Sequence, residues 1–397
     1  MRALIFGGGK IARGFIGQLL YRGGIHATFV DMNEKLLDAL REAGKYYVNV
    51  MGNEKESEWI DGFDLLSLTD TEGIARALLE ADVAFTAVGG KNLDSLGGVI
   101  ARAYALADEQ WPREKRITLI TCENWKNPAP QLEKAMAGAL EDDGLAQRLA
   151  ERIGVSEAAI LRSGIEPAPA VIQIDPNAVS VTDYWELPVD ADRWNGVRVE
   201  IPGIRYMHQF GSFLQRKIYT FNTTNATIAF IGLLKGYTDL ADAANDEQIL
   251  DILHQVMAEL NPAIEKLMNV DPQEQEAFAL KAQRKYQDRS VIDYLERHAR
   301  DPVRKLGPTD RIVGSARLIE QAGGEPRMLA LTLAAALYYK STNPADPSAQ
   351  ELENMRRTQG VDAVLESVCQ IGRDEPLCAM VHEKIEFLKE SGWINGE

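Results

Sequence analysis

Short apolar runs alternate with amphipathic stretches along the first half of the chain. The apolar runs predict buried strands at residues 3–6, 27–30, 65–68, 83–88 and 117–121. The amphipathic stretches predict helices at residues 15–20, 72–80, 93–106 and 128–140. Because buried strands that alternate with helices are typical of a parallel sheet covered on both faces, this half is predicted to be α/β.

The sheet is predicted to extend beyond these strands. Residues 141–160 are charged and are interpreted as a helical connector, and the apolar runs at 171–174 and 179–185 predict two further strands. From about residue 205 the strand signals fade. Helical patterns then follow one another at residues 218–234, 246–268, 273–285, 291–298, 310–322, 328–339, 349–357, 361–368 and 377–391.

The first predicted strand runs into a glycine-rich turn, and the second ends in Asp31. Gly7 permits the tight turn, Gly9 lets the backbone approach a pyrophosphate, and Ala12 occupies the position where a third small residue packs the helix on the strand. Free N–H groups at the helix start bind phosphate. Asp31 is placed to accept hydrogen bonds from a ribose diol and would repel a 2′-phosphate, which favours NAD over NADP.

Two further loops follow predicted strands at the carboxyl edge of the sheet, where cofactors lie. One contains Val88 and Gly89, and the other contains Asn124, near the expected nicotinamide. The alternative for Asn124 is a structural role as a turn-forming residue. The alternative for the glycine-rich turn is a nucleotide-binding fold that has lost its ligand. The predicted NAD-binding residues are Gly7, Gly9, Lys10, Ile11, Ala12, Asp31, Val88 and Gly89.

These patterns predict two domains. Residues 1–204 are expected to form a Rossmann-type NAD-binding domain with an extended sheet, and residues 205–397 a mostly α-helical substrate and catalytic domain. Active sites often lie where two domains meet. We therefore expect the helical domain to close over the cofactor and the helix near Lys217 to line the cleft.

The stretch from Lys217 to Asn225 predicts a buried helix with three polar groups on one side. At 100° per residue, Asn225 lies about 80° and Asn222 about 140° around the axis from Lys217. A lysine beside two amides in apolar sequence is suited to proton chemistry on a hydroxyl. The alternative is a lysine that snorkels to the surface, with amides that cap the helix start.

Composition narrows the class of protein. The chain has 397 residues, 45% of them hydrophobic, and a net charge of −16. An acidic chain without a long basic run is not expected to bind nucleic acid or an anionic membrane surface. The absence of a signal peptide or a bilayer-spanning run predicts a cytoplasmic protein. Three irregularly spaced cysteines are too few for a disulfide framework or a zinc site.

Several motifs, in order from residue 1 to about residue 355, resemble the polyol-specific long-chain dehydrogenases, the mannitol dehydrogenase family. They are Gly7–Gly17, Ala87–Gly89, Cys122–Asn124, Ile201–Gly203, the helix from Lys217 to Asn222, and Val303–Leu306 with Asp310 and Arg311. The resemblance implies a lysine general base without a metal, and two asparagines that hold the developing alkoxide. These roles correspond to Lys217, Asn222 and Asn124.

The chain departs from the family pattern at two positions. Asn225 stands where the lysine helix normally carries a histidine, and Ser163 stands where an aspartate usually binds substrate hydroxyls. None of the five histidines lies in the helix to compensate. The predicted substrate-binding residues are Asn225, Arg304, Lys305 and Ser163, with Arg311 as a further candidate. The alternative for the cations is surface pairing with Asp301 and Asp310.

The resemblance implies an NAD-dependent oxidoreductase that interconverts a secondary alcohol of a sugar alcohol and a ketose. The expected substrate is phosphorylated, like mannitol 1-phosphate and fructose 6-phosphate, although the two departures favour a different sugar as well. A reductase of sugar acids such as hexuronates and a non-catalytic NAD-binding sensor are the alternatives. The family resemblance also implies a monomer.

Overall fold

The structure, a computed structural model, describes residues 1–341 and 346–394. Its contacts divide the chain into two compact units, Met1–Phe210 and Gly211–Glu397. Each unit contains hydrophobic clusters of its own. Each therefore has the internal core that is expected of a domain.

The first unit contains the strands that the structure describes. In chain order they are β1 Arg2–Phe6, β2 His26–Asp31, β3 Lys45–Met51, β4 Glu58–Asp61, β5 Asp64–Ser67, β6 Val83–Thr86, β7 Ile117–Thr121, β8 Ile153–Glu157, β9 Gly164–Ile165, β10 Val179–Thr182, β11 Leu187–Asp190 and β12 Ile204–Met207. The largest sheet has six strands in the order β5-β2-β1-β6-β7-β8. All of its pairings are parallel, which confirms the predicted sheet.

The strand order reverses between β1 and β6. In open parallel sheets, ligands bind outside the carboxyl ends of the strands at such a reversal. Gly7 follows β1 and Ala87 follows β6, and the N–H of Ala87 donates to Phe6 O at 2.8 Å. The glycine turn and the loop at Val88 therefore lie side by side at the expected ligand-binding edge.

The first unit also contains two smaller sheets. One has the order β4-β3-β10-β9, and the other pairs β11 with β12. Tyr46, Val48 and Val50 of β3 are buried while their neighbours are more exposed, and they share a core cluster with Phe15 and Ile16. This alternation is a strand signal that the sequence analysis did not use.

The helices of the first unit cover both faces of the large sheet. They are a π-helical turn Ala12–Gly17 that continues as α1 Gln18–Arg22, then α2 Glu34–Ala43, α3 Thr71–Glu80, α4 Leu93–Ala107, α5 Pro128–Gly138, α6 Asp143–Arg152 and α7 Pro169–Ile174. Short 3₁₀ turns lie at Glu54–Glu56, Gly90–Asn92 and Asp108–Gln110.

Two predictions for this unit are wrong. Residues 171–174 form part of α7 and not a strand, because Pro169 is at the start of a helical turn, where its fixed φ is favourable. The connector at 141–160 is helical only as far as Arg152. Ile153 and Val155 are then buried in β8. This strand pairs with β7 and is an edge strand of the six-stranded sheet.

The described part of the second unit is helical. Its elements are α8 Phe210–Lys217, a π-helical turn Ile218–Asn222, α9 Thr223–Leu234, α10 Leu240–Ala244, α11 Glu247–Met268, α12 Pro272–Gln287, α13 Leu295–Ala299, α14 Pro302–Lys305, α15 Val313–Ala322, α16 Arg327–Leu337, α17 Pro347–Gln359, α18 Val361–Ser367 and α19 Pro376–Glu390. Residues 291–294 precede α13 outside any helix, so the first half of the helix predicted at 291–298 is wrong and the second half is confirmed.

Helix α9 is the centre of this unit, since it is buried on all sides from Thr223 to Gly232. Its polar side chains are therefore paired with neighbouring helices. The hydroxyl of Thr223 lies 2.9 Å from that of Ser315 and 2.7 Å from Arg311 O, and Thr227 pairs with Thr332. These contacts fix the rotation of α9 and of the π-helical turn before it.

Candidate functional site

The backbone at Gly7 explains why the turn after β1 requires glycine. Its φ is +112°, and a Cβ there would lie 2.5 Å from Ala87 O. A side chain at this position would therefore be both strained and in collision with the adjacent loop.

Gly9 has the opposite surroundings. It is exposed, and a Cβ there would meet no described protein atom within 4 Å. Its carbonyl accepts the N–H of Arg13 at 3.0 Å, so the helix begins directly after it. Open space beside the free N–H groups of a helix start fits the pyrophosphate of a dinucleotide. Ile11 and buried Ala12 continue this helix start, and Lys10 pairs with Glu166.

Asp31 ends β2 and faces the glycine turn. Its Oδ2 accepts the N–H of Gly8 at 2.5 Å, and its Oδ1 accepts the N–H of Asn33 at 2.8 Å. The carboxylate is partly exposed. A carboxylate that is held beside the turn and open to solvent fits the ribose hydroxyls of NAD.

Glu123 is a residue of this region to which the sequence analysis gave no role. It is 7% exposed, and its carboxylate accepts the N–H groups of Val88 and Gly89, each at 2.9 Å, and the hydroxyl of Thr86 at 3.0 Å. Glu123 therefore fixes the loop after β6 to the end of β7. Its position between Cys122 and Asn124 at a strand end was the available signal. Asn124 itself is exposed in the bend after β7.

Lys217 is the last residue of α8 and is followed by the π-helical turn Ile218–Asn222. A π-helical turn holds more residues than the 3.6 of an α-helical turn. Lys217 and Asn222 therefore lie closer around the axis than the 140° calculated for a regular helix. Such local widening is frequent at functional sites.

Burial and the positive charge of Arg311 lower the pKa of Lys217 to about 8, against the opposing effect of Asp310. The ordinary pKa of lysine is about 10.4. The lowered value raises the neutral fraction of the amine at pH 7 to about one tenth, far above that of an ordinary lysine, and the neutral form is the one that can act as a general base.

Lys285 on α12 is a second lysine of this kind, and the sequence analysis did not find it. Burial, followed by the charges of Lys217 and Arg297, lowers its pKa to about 7, and Asp293 opposes the shift. Lys285 lies in a charged helix without any motif. Its proximity to Lys217 depends on how α12 packs beside the π-helical turn, which no local pattern reveals.

Lys305 is the third lysine with a strongly lowered pKa. It is 6% exposed, and its Nζ donates to His298 O at 2.5 Å. Burial and the charges of Arg311 and Arg304 lower its pKa to about 7. Lys217, Lys285, Lys305 and Arg311 are called the cation cluster below.

Arg304 forms the ion pairs with Asp301 and Asp310 that are the alternative to a role in substrate binding. It is more than half exposed and lies 2.5 Å from Asp301 and 3.1 Å from Asp310. Arg311 is mostly buried and donates to Asp310 at 2.8 Å. Ser163 lies in the first unit, where its backbone N–H donates to Thr182 Oγ1 at 2.9 Å. A substrate role for Arg304 or Ser163 remains a prediction.

A histidine lies beside Asn225 although it comes from another part of the sequence. Asn225 Nδ2 is 2.9 Å from His298 Nδ1, and His298 Nε2 is 2.8 Å from Asp293 Oδ2. No histidine lies in the lysine helix itself, but His298 of α13 is in contact with Asn225. Because 73 positions separate Asn225 from His298, only the packing of α13 on α9 brings them together.

Neither the cysteines of the sequence nor the family resemblance predicts a metal site in this chain. Among the described residues, one group of three metal-ligating side chains lies elsewhere in the second unit, Asp362, Cys378 and His382. The guanidinium of Arg373 lies 3.8 Å from the carboxylate of Asp362 in this group.

Two family models match the chain. The model of the mannitol dehydrogenase Rossmann domain matches residues 1–203, and that of the mannitol dehydrogenase C-terminal domain matches residues 209–389. The chain belongs to the mannitol dehydrogenase family. A mannitol-1-phosphate 5-dehydrogenase from Shouchella clausii (strain KSM-K16) is 32% identical to this family member over 383 residues, which are 96% of this chain and 99% of the relative. The predicted family is thus confirmed, and with it an NAD-dependent polyol dehydrogenase.

Solved structures share the fold of this mannitol dehydrogenase family member. A D-sorbitol dehydrogenase in substrate-free form has a TM-score of 0.79 at 14% identity and covers 98% of this chain and 93% of its own. A Pseudomonas fluorescens mannitol 2-dehydrogenase ternary complex with NAD and D-mannitol has a TM-score of 0.73 at 17% identity, with coverage of 99% and 92%. The predicted fold class is confirmed. No helix among the described residues is long and apolar enough to cross a membrane.

Proposed function

We propose that this protein oxidises a secondary alcohol of a sugar alcohol phosphate with NAD, and that it reduces the corresponding ketose phosphate in the reverse direction. The proposal rests on Lys217, whose pKa is lowered to about 8 at the start of a π-helical turn that also carries Asn222. A base of this strength matches the operating pH of most enzymes.

In the oxidation, the neutral Nζ of Lys217 takes the proton of the substrate hydroxyl. The amide N–H groups of Asn222 and Asn124 donate to the oxygen as it gains negative charge, without competing for the proton. In the reduction, protonated Lys217 gives a proton to the carbonyl oxygen. NAD, when bound, supplies the acceptor for the hydride that leaves the substrate carbon.

The proposed cofactor contacts use groups that fit NAD. The backbone at Gly9 and the helix start at Lys10 and Ile11 hold the pyrophosphate, and Asp31 accepts from the ribose hydroxyls. Val88 and Gly89, which Glu123 fixes, form the opposite side of the crevice.

The charge of the cation cluster supports a phosphorylated substrate. The charge of Arg311 lowers the pKa values of Lys217 and Lys305, and the charge of Lys217 lowers the pKa of Lys285. A bound phosphate would relieve this repulsion and accept several charge-assisted hydrogen bonds. A carboxylate would do so less strongly, because it carries a single charge. This difference favours a sugar phosphate over a hexuronate.

The test is Lys217→Met, which keeps the length of the side chain and removes the base. We expect turnover of fructose 6-phosphate with NADH to fall by about 10² to 10⁴-fold, with NADH binding by fluorescence unchanged. Lys281→Met, at an exposed lysine on α12, is the matched control and should retain full activity. Equal turnover of the two variants would refute the role of Lys217.

A substrate panel separates the alternatives. Fructose 6-phosphate, fructose, tagaturonate and fructuronate are compared at equal NADH concentration. Faster turnover of the two uronates would favour the sugar-acid reductase. Tight NADH binding without turnover of any ketose would favour the non-catalytic sensor.

A further inference from the structure

Asn225, His298 and Asp293 form a contiguous group of polar side chains, which is called the Asn225–His298–Asp293 group below. Asp293 ionises readily, because its contacts with His298 and Arg297 outweigh burial and lower its pKa to about 2. As a carboxylate it only accepts hydrogen bonds. Nε2 lies 2.8 Å from Asp293 Oδ2, in an ion-pair contact that lacks hydrogen-bond geometry. Because a proton is favoured on the nitrogen that faces the carboxylate, the proton of the neutral imidazole is assigned to Nε2.

The other ring nitrogen must then accept a hydrogen bond. His298 Nδ1 lies 2.9 Å from Asn225 Nδ2, so the amide NH₂ of Asn225 faces the ring and donates to it. The carbonyl oxygen of the same amide consequently points away from the ring. The orientation of the Asn225 amide is thus determined by His298 and, through it, by Asp293.

The surroundings stabilise this arrangement. Asn225 is 6% and Asp293 8% exposed, and Arg297 holds the carboxylate by donating to Oδ1 at 2.8 Å and to Oδ2 at 2.5 Å. Burial lowers the pKa of His298 and favours its neutral form. Lys305 Nζ donates to the backbone oxygen of His298, which connects the backbone of this residue to the cation cluster.

The Asn225–His298–Asp293 group also lies close to the proposed base. Asn225 is in the first turn of α9, which follows the π-helical turn between Lys217 and α9. The charge of Asp293 acts on Lys285, and Lys285 interacts in turn with Lys217. The Asn225 amide and the base therefore belong to one electrostatic cluster in the second unit.

We propose that His298 is a positioning residue for substrate specificity, which acts by fixing Asn225 so that its carbonyl oxygen accepts a hydrogen bond from a substrate hydroxyl. This inference rests on the proposed function. It specifies the substrate as a polyol or ketose phosphate with a free hydroxyl at the recognised carbon. An analogue that lacks this hydroxyl leaves a buried acceptor unpaired and is rejected.

The kinetic test uses His298→Phe, which keeps an aromatic ring and removes the acceptor. We expect the KM for fructose 6-phosphate to rise about tenfold or more while kcat changes much less, since one charge-free hydrogen bond is lost. Among the monodeoxy analogues of fructose 6-phosphate, the one that the unaltered protein rejects most strongly should be rejected far less by the variant. His298→Gln, whose side-chain oxygen can accept from Asn225, should restore most of both effects.

Controls separate positioning from a general loss of structure. His254→Phe, at an exposed histidine on α11, should behave as the unaltered protein. NADH affinity and the thermal unfolding temperature should stay the same in His298→Gln and His254→Phe. An unchanged KM and unchanged discrimination in His298→Phe would overturn the inference and leave the proposed function intact. Absence of turnover by the unaltered protein would overturn both.

A second measurement does not depend on activity. In ¹⁵N NMR of histidine-labelled protein, His298 is identified by its loss in His298→Phe. We expect the neutral tautomer with the proton on Nε2. A proton on Nδ1 at neutral pH would point the carbonyl of Asn225 toward the ring, and would overturn the inference whatever the kinetics show.

Discussion

The cofactor residues of the first unit and the cation cluster of the second are built in different ways. Gly7, Gly9 and Asp31 lie within the first strand-helix-strand segment, and their roles follow from backbone conformation and strand ends. Lys217, Lys285 and Lys305 come from separate helices, and their roles follow from burial and mutual charge. Local chemistry can be read from a motif, whereas a shifted pKa depends on remote neighbours.

The largest effect is expected for Gly7→Ala, which tests the backbone part of this comparison. The added methyl group would lie 2.5 Å from Ala87 O at a φ of +112°. We expect a loss of stability of about 2 kcal/mol or more, since both strain and collision are introduced. Thermal unfolding measures the loss of stability, and a fluorescence titration measures the binding of NADH.

Gly9→Ala is the matched control, because its methyl group meets no described protein atom within 4 Å. This variant should unfold at nearly the same temperature but bind NADH more weakly. Equal stability of the two alanine variants would contradict the packing argument for Gly7.

The next effect concerns the pH dependence of the base. Alcohol oxidation needs neutral Lys217, so kcat should rise with pH through about 8 and then level off. Arg311→Met removes a positive charge that lowers this pKa, and the rise should move to higher pH. Lys281→Met, whose lysine is exposed on α12, should leave the profile unchanged. If the pH profile of kcat does not move in Arg311→Met, the charge of Arg311 is excluded as a cause of the lowered Lys217 pKa.

A smaller effect is expected for Glu123→Gln. The amide keeps one acceptor oxygen but cannot accept both backbone N–H groups of the loop as the carboxylate does. We expect a loss of about 1–3 kcal/mol of stability, typical of an unsatisfied buried donor, together with weaker NADH binding. Glu133→Gln, at an exposed glutamate on α5, is the control. Unaltered NADH affinity would show that the loop does not need this anchor.

The smallest effect is a change of stability with pH. Lys285 and Lys305 have folded pKa values of about 7, while an unfolded lysine has one near 10.4. Between these values the unfolded chain binds more protons, so these lysines make the free energy of unfolding rise with pH. Lys285→Met should reduce the slope between pH 7 and 10 in urea unfolding. A slope identical to that of the unaltered protein would contradict the lowered pKa.

Much of the fold was predictable because it rests on local patterns. The strands β6 and β7 are uniformly buried, and α11 is capped by Asp246, whose side chain accepts the N–H of Ile249. The errors occur where a local pattern is short. The short apolar pattern of residues 171–174 fits either a strand or a helix, and Pro169 stands at the start of the helix that forms.

The amino-acid sequence by itself determined the glycine turn, the acid at the end of β2, the helical second half and the family of the chain. It determined them because glycine, proline and hydrophobic periodicity act on the nearest few residues. Only the tertiary structure decided the π-helical turn after Lys217, the lowered pKa values of the cation cluster and the pairing of His298 with Asn225. These depend on burial and on contacts between helices that are distant in the sequence, such as α9 and α13, and no local pattern encodes them.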